Sequence, residues 1–315
     1  MILKATDTKD NEITLYNLMK VTLNQDVDVP ADELVVVIPY YEQPSELVTI
    51  EMLTDDNNLI FSGVVDEQLT VIKDDGCVIK ITARSKAALL LDNEAIPANY
   101  RMPTDYLIYS KYVSSFNIDC ADIKGISYRG DFTVSKGDTH WQALNSFCKN
   151  LYGKSPKITS KGVLYMGGLK NDEVITFSNS DENGRRYMYL SENIKRCNII
   201  SNVLVKTSQE GGYDVNVESK EAKERKINSR RIVNGTLYNT PMSCADRMIE
   251  RSIEDSYQIV LTCDGCLADV LGASAVIKDF APKVNGSLYI SRIKYTLSAG
   301  KEATLLVLSR KNSEV

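Results

Sequence analysis

The chain has 315 residues, 43% hydrophobic and 25% charged, the balance of an ordinary globular protein long enough to bury real cores without disulfides. Its net charge of −5 argues against nucleic acid as the main partner, because phosphate binding needs a clustered positive field. Seven irregularly spaced cysteines point to a reducing compartment, and neither a signal peptide nor an apolar run long enough to span a membrane is visible.

The first ninety residues read as short strands. Leu34–Ile38 is a β-branched run ended by Pro39. Glu46–Leu53 alternates, with Leu47, Thr49, Glu51 and Leu53 on one face and Val48, Ile50 and Met52 on the other. Asp56-Asn57-Asn58 turns that strand into Leu59–Phe61, Val64–Ile72 is a further extended run, and Asp74-Asp75-Gly76 leads into Cys77–Ile81. The segment Arg84–Leu91 reads as a short helix, with Ile96-Pro97 as an exit. Arg84, Ser85 and Lys86 carry no expected chemistry, since the Ala and Leu residues after them read as packing.

Pro103–Phe116 has helical spacing after a Pro-Thr-Asp start. Phe132–Val134 is expected to be a strand, Lys136-Gly137-Asp138 a turn and Thr139–Leu151 a helix. Asp138 or Thr139 would cap that helix, whose apolar face is Trp141, Leu144, Phe147, Cys148 and Leu151. A hairpin follows through Ser160-Lys161-Gly162. Strands return near Arg185, and Asn202–Thr207 and Tyr213–Glu218 flank a hairpin signal at Gly211-Gly212. Glu221–Arg231 reads as charged and exposed. Ser243–Tyr257 is expected to be a helix capped by Ser243, with Ala245, Met248, Ile249 and Ile253 on its apolar side. Gln258–Cys263, Ser274–Ile277, Ser287–Leu297 and Ala303–Leu308 close the series as strands.

Charge is unevenly placed. From Val21 to Ile72 there is no Lys or Arg, against eleven acids that include Asp26, Asp28, Asp32, Glu33, Asp55 and Asp56. From Arg185 to Arg231 eleven bases face six acids, with Arg225, Lys226, Arg230 and Arg231 in the densest part. Two solvated surfaces of opposite bias would explain this. So would two oppositely charged modules that meet, within the chain or between subunits.

Catalytic readings find little support. His140 is the only histidine, at a helix start, and Ser-His or Cys-His schemes need a base with an orienting partner. A carboxylate pair in the acidic window would permit hydrolysis, but nothing singles out two of its acids. Cys263-Asp264-Gly265-Cys266 follows a strand, where redox motifs favour a helix N-terminus, and it lacks the second ligand pair of a structural zinc. The stretch DFTVSKGDTHWQAL resembles the opening of LysM modules, which bind cell-wall glycan; that resemblance makes Asp138, Thr139 and Trp141 candidate glycan contacts. The match stops after the first helix, where a hairpin replaces the expected second helix.

Six segments carry a wider resemblance: ELVVVIPYYEQP, LIFSGVVDEQ, IKITARSKAALLLDNEAIP, DFTVSKGDTHWQALNSFC, CADRMIERSIEDSYQIVLTC and VNGSLYISRIKYTLSAGKEATLLVLSR. In order and spacing they resemble the baseplate hub proteins of contractile phage tails and phage-tail-like bacteriocins, relatives of the late control D proteins and the T4 hub. The resemblance implies a β-rich α+β fold with two β-barrel-like tube modules, 1–93 and the discontinuous 185–228 with 274–315. Two small helix-containing modules, 94–184 and an inserted 229–273, would accompany them. It implies a homotrimeric, pseudo-six-fold ring joining a six-fold tail tube to a three-fold central spike. Partners would be the spike, the tube or tube-initiator ring, other baseplate proteins and the tape measure. The protein would be made in the bacterial cytoplasm and built into a baseplate, with no enzymatic activity, catalytic residue, metal or cofactor. A peptidoglycan-binding, cell-wall-associated role is the alternative. Under the ring reading, Asp26, Asp28, Asp32, Glu33, Asp55 and Asp56 form an inter-subunit acidic face, and Arg225, Lys226, Arg230 and Arg231 its basic counter-face.

Overall fold

A computed structural model describes residues 1–40, 45–74, 76–206, 208, 211–228, 231–234, 241–283 and 286–311. The chain divides into two compact units. The first comprises Met1–Glu173, Cys263–Ala273 and Ser291–Leu306, and the second comprises Val174–Thr262, Ser274–Ile290 and Val307–Val315.

The first unit begins with seven strands: β1 (Ile2–Asp7), β2 (Glu12–Leu15), β3 (Lys20–Asp26), β4 (Glu33–Pro39), β5 (Leu47–Leu53), β6 (Leu59–Lys73) and β7 (Gly76–Ser85). They form an antiparallel sheet in the order β3-β4-β7-β6-β5-β1-β2, and Arg292–Ser298 of a late strand lies against β3. Alternation explains the packing. In β4, Leu34, Val36 and Ile38 are buried and their neighbours are less so, as a sheet with one covered face requires. Leu3, Leu23, Ile50, Met52, Phe61, Ile81 and Tyr295 share that core.

Three details depart from the sequence reading. In β5, Thr6 pairs with Thr49 but Asp7 pairs with Leu47, so Val48 is a bulge residue. The bulge reverses parity: Leu47 is buried and Val48 is 44% exposed. Leu59–Phe61 and Val64–Ile72 form one continuous strand, β6, bulged at Asp66. The Asp66 carboxylate accepts Arg84 Nε at 2.6 Å and Nη2 at 2.9 Å. Arg84 belongs to β7, not to the helix after it, and its Nη2 also reaches Asp92 at 2.6 Å. It ties strand to helix.

The β1–β2 turn hangs on one carboxylate. Asp7 accepts from Asn11 Nδ2 at 3.1 Å, Asn11 N at 2.9 Å, Ser45 Oγ at 2.8 Å and Lys9 N at 2.8 Å. These bonds, the Asn11 side chain foremost, hold its pKa well below the usual carboxylate range. A depressed carboxylate stabilises the fold above its unfolded pKa, and that contribution fades as pH falls through about 4 and below. Amide-exchange protection of Lys9 and Asn11 is expected to drop on acidification in the native chain. Asp7→Asn should start with weaker protection and show a flatter acid response; an unchanged acid response would refute this.

The rest of the first unit continues with α1 (Ala87–Asp92), β8 (Ala98–Arg101), α2 (Asp105–Tyr112), β9 (Asp119–Cys120), β10 (Asp131–Val134), α3 (His140–Tyr152), β11 (Lys157–Ile158) and β12 (Val163–Tyr165). β10 pairs with β8, and β12 joins β11 to β9. These elements surround their own core of Ala87, Leu90, Ile108, Phe132, Trp141, Leu144, Phe147 and Leu164. Thr139 caps α3 in a reciprocal box with Gln142, and Gly153 ends it at φ +70°, where a side chain would be strained.

The second unit holds β13 (Val174–Phe177), β14 (Tyr189–Ile194), β15 (Asn202–Val205), β16 (Val215–Glu218), α4 (Lys220–Glu224), β17 (Arg231–Asn234) and α5 (Pro241–Glu254). β18 (Tyr257–Asp264), β19 (Ser274–Ile277), β20 (Ser287–Ser298) and β21 (Lys301–Lys311) follow, and β18, β20 and β21 each contribute residues to both units. β14 pairs with β18, β13 with β19, and β16-β15-β17 form a small sheet. The helix α5 begins at Pro241, so Ser243 lies inside it and is not the cap; proline suits a first helical turn because its missing N–H has no partner there. The apolar face is as read: Ala245, Ile249 and Ile253 pack with Ile200, Val203 and Val205. Segment 221–231 is not uniformly exposed, since Ala222 is buried.

The class is the β-rich α+β one that the sequence implies. Among the described residues the sheets remain open and none closes into a barrel.

Candidate functional site

The acidic window does not fold into one solvated face. Asp32 is buried, and its Oδ1 accepts Lys157 Nζ at 2.8 Å while its Oδ2 accepts Ser160 Oγ at 2.6 Å. Lys157, 2% exposed, spends its other two donors on the Asp26 and Val29 carbonyls at 2.8 and 2.7 Å. The Asp32 backbone is held as well: its N–H donates to Ser85 Oγ and its carbonyl accepts Ser85 N–H. Burial pushes the Asp32 carboxyl up from its ordinary value, with the Lys157 charge and the Ser160 hydroxyl pulling against it. Asp32 is therefore corrected from a surface acid to the centre of a buried polar cluster that fastens the β3–β4 connection to β7 and β11.

The carboxylates of the other acids lie outside that cluster. Asp26 pairs with Arg292 at 2.7 Å, Glu33 accepts Asn24 Nδ2 at 2.9 Å, and Asp28 is exposed on the connection after β3. Asp55 and Asp56 are exposed at the β5–β6 turn, where Asp55 pairs with the Met1 amino group.

On the basic side, Arg225 Nη1 contacts Glu221 Oε1 at 3.3 Å, and Arg310 Nη1 takes both Glu221 oxygens at 2.7 Å. Arg225 is thus partly neutralised within its own unit. Lys226 is exposed in a left-handed conformation at φ +56°. Arg230 lies outside the described residues, and Arg231 opens β17.

The candidate glycan contacts serve the fold. Trp141 is 7% exposed within the α3 core. Thr139 is the helix cap, and Asp138 Oδ2 accepts Ser135 N–H at 2.7 Å in the preceding turn. His140 is partly buried at the start of α3. Its Nδ1 donates to the Tyr112 carbonyl at 2.7 Å, an assignment the carbonyl dictates because it can only accept, and its ring meets Tyr112 and Phe116 edge-on. Burial pushes the Cys266 thiol up to about 11, the reverse of a reactive redox cysteine. No group of His, Cys, Asp and Glu among the described residues could hold a metal, and no helix among them is long and apolar enough to cross a membrane.

Neither a protein-family model nor a curated protein matches the sequence. Solved structures do. The prophage MuSo2 43 kDa tail protein from Shewanella oneidensis superposes with a TM-score of 0.79 at 14% identity, over 98% of this chain and 97% of that one. A tail protein from Neisseria meningitidis gives 0.74 at 16%, over 98% and 96%. An Escherichia coli component of the type VI secretion system, with structural similarity to the T4 bacteriophage tail proteins gp27 and gp5, gives 0.53 at 9%, over 94% and 74%. Low identity with near-complete superposition makes this a likeness of fold, and the chain carries the fold of phage tail proteins, in keeping with the tail-hub family that its sequence resembles.

Proposed function

We propose that the chain is the structural hub of a contractile-tail baseplate. In this reading three copies close a ring, each contributing two β-modules, 1–93 and 185–228 with 274–315, so that six similar lobes meet a six-fold tube on one side and a three-fold spike on the other. The observation that carries it is the end-to-end correspondence with tail proteins, which covers 98% of this chain and leaves almost none of it outside the shared fold. Modules 94–184 and 229–273 then act as decoration on the ring. The spike, the tube or its initiator, neighbouring baseplate proteins and the tape measure are the proposed partners, and the role is not enzymatic.

A heterologous contact that closes on itself needs two complementary patches per subunit. Asp28, Glu33, Asp55 and Asp56 supply the acid patch, with Asp26 tempered by Arg292; Lys226, Arg230, Arg231 and the partly paired Arg225 supply the base. Acid left facing the lumen would repel DNA phosphates in a DNA-carrying particle.

The protein, alone and with the tube and spike proteins of its particle, is expected to give the mass of three copies and images of three-fold symmetry with a six-lobed outline. A monomer under both conditions would sink the hub reading. Reversing Lys226, Arg230 and Arg231 to Glu should weaken ring formation and change its salt dependence. Arg225→Glu is a poorer test because it also disturbs Glu221. Unchanged assembly would leave these residues as a solvated connector.

A further inference from the structure

The first unit carries a strained, positively charged depression on its surface. Beyond β8 the chain runs antiparallel to the segment that leads into β10. Met102 N–H donates to the Gly130 carbonyl at 3.0 Å, Tyr128 N–H to the Pro103 carbonyl at 2.8 Å, and Asp105 N–H to the Ile126 carbonyl at 3.0 Å. The buried Asp105 carboxylate anchors this ribbon, accepting Tyr106 N–H at 2.7 Å, Lys124 N–H at 2.9 Å and the Tyr152 hydroxyl at 2.7 Å. On it Arg101, Met102, Arg129, Gly130 and Asp131 line a shallow, open depression.

Two features set this place apart. Arg101 and Arg129 are exposed, and among the described residues neither guanidinium has an ion-pair or hydrogen-bond partner, although Asp131 stands opposite Arg101 in the β8–β10 register. Between them Met102 is held in a left-handed conformation at φ +49° while 53% exposed. That backbone is costly for a bulky side chain, and such strain clusters at ligand clamps.

The chemistry restricts the occupant. Two guanidiniums against one carboxylate make a positive spot on a chain of net charge −5. Guanidinium forks match carboxylates two oxygens at a time. Met102, Tyr106 and Ile126 of the same ribbon are exposed, and Arg, Tyr and Met are the residue types enriched where proteins meet. An inorganic anion has no apolar part to set against them. A flat bilayer would leave a depression unfilled, whereas a protruding peptide segment enters it.

We propose that this depression docks an acidic segment of a partner protein, with carboxylates on Arg101 and Arg129 and an apolar side chain over Met102. The site stands apart from the hub reading: a monomer can bind such a segment, and a trimer can form without it.

The test uses the intact chain and blocked pentapeptides, followed by the NMR signals of the Met102 and Gly130 amides and the arginine Nε–H groups. Glu-Glu-Leu-Glu-Glu is expected to bind with a Kd on the order of millimolar. Gln-Gln-Leu-Gln-Gln should bind about tenfold more weakly, and Glu-Glu-Ser-Glu-Glu about threefold more weakly. Arg101→Gln and Arg129→Gln should each weaken the first peptide about tenfold with Tm unchanged, as for exposed side chains without partners. Arg129→Lys should recover part of that loss, since lysine keeps the charge without the fork. Met102→Gly should weaken the peptide while holding or raising Tm, because glycine relieves the left-handed backbone. Equal affinity for the Glu and Gln peptides would overturn the arginine clamps. Phosphatidylglycerol vesicles that bind the native chain through Arg101 and Arg129, while the peptide does not, would overturn the protein partner in favour of a membrane surface. No localised shift at any soluble peptide concentration would overturn the site.

Discussion

Lys157→Met is expected to cost about 3–5 kcal/mol of folding stability, the range for breaking a buried ion pair from one side. Methionine keeps the bulk and removes the charge. The loss comes chiefly from what stays behind: Asp32 without its counter-charge, and the Asp26 and Val29 carbonyls without their donor. The opposing pull of Lys157 would be gone, so burial would raise the Asp32 carboxyl further. A folded-state pKa above the unfolded value near 3.9 means the native state retains a proton that the unfolded state releases. The variant should therefore lose stability as pH rises from about 4 through the folded pKa, over a wider pH range than the parent, whose Asp32 carboxyl is raised less because Lys157 opposes burial. Asp32→Asn combined with Lys157→Met removes the stranded charge and should recover part of the loss. Urea midpoints at pH 5 and pH 8 test both claims; a loss below about 1 kcal/mol for the single variant would refute the cluster's role.

Trp141→Ala should destabilise by about 3–5 kcal/mol, as large aromatic deletions from a core do. The same residue separates two functions. If the Lys-Gly-Asp-Thr-His-Trp stretch is structural, the native chain should not be retained on purified peptidoglycan, and Asp138→Asn should leave that unchanged while costing a little stability at the turn. Retention of the native chain, abolished by Asp138→Asn with Tm preserved, would restore the glycan-binding alternative. The capping box and the burial of Trp141 favour the structural outcome.

Local signals carried far into this fold. Asn57 is left-handed in the turn between β5 and β6 that Asp56-Asn57-Asn58 signals, and the apolar spacing of Ala245, Ile249 and Ile253 marks the buried face of α5. What failed locally failed for identifiable reasons. A bulge is one extra residue that alternation cannot register, so strict alternation over Glu46–Leu53 puts Leu47 and Val48 on the wrong faces. The Pro241 start of α5 lies before the first apolar repeat, which drew the expected cap to Ser243. The acidic window misled more deeply. Its lack of Lys and Arg is a fact of sequence, yet Lys157 reaches Asp32 across 125 positions and Arg292 reaches Asp26 from a late strand. No local pattern in Pro30-Ala31-Asp32-Glu33 announces a buried carboxylate. It arises from long-range packing.

The pairing of β3 with residues 292–298 also sets a timetable for synthesis. β3 leaves the ribosome long before its neighbour on that side. At about 5–20 residues per second, one edge of β3 stands open on the order of ten seconds or more while the chain is made. Open strand edges invite pairing with other chains. Production of this protein should therefore be sensitive to elongation speed and chaperone supply, and aggregates formed on overexpression should be enriched in nascent chains that stop short of residue 292.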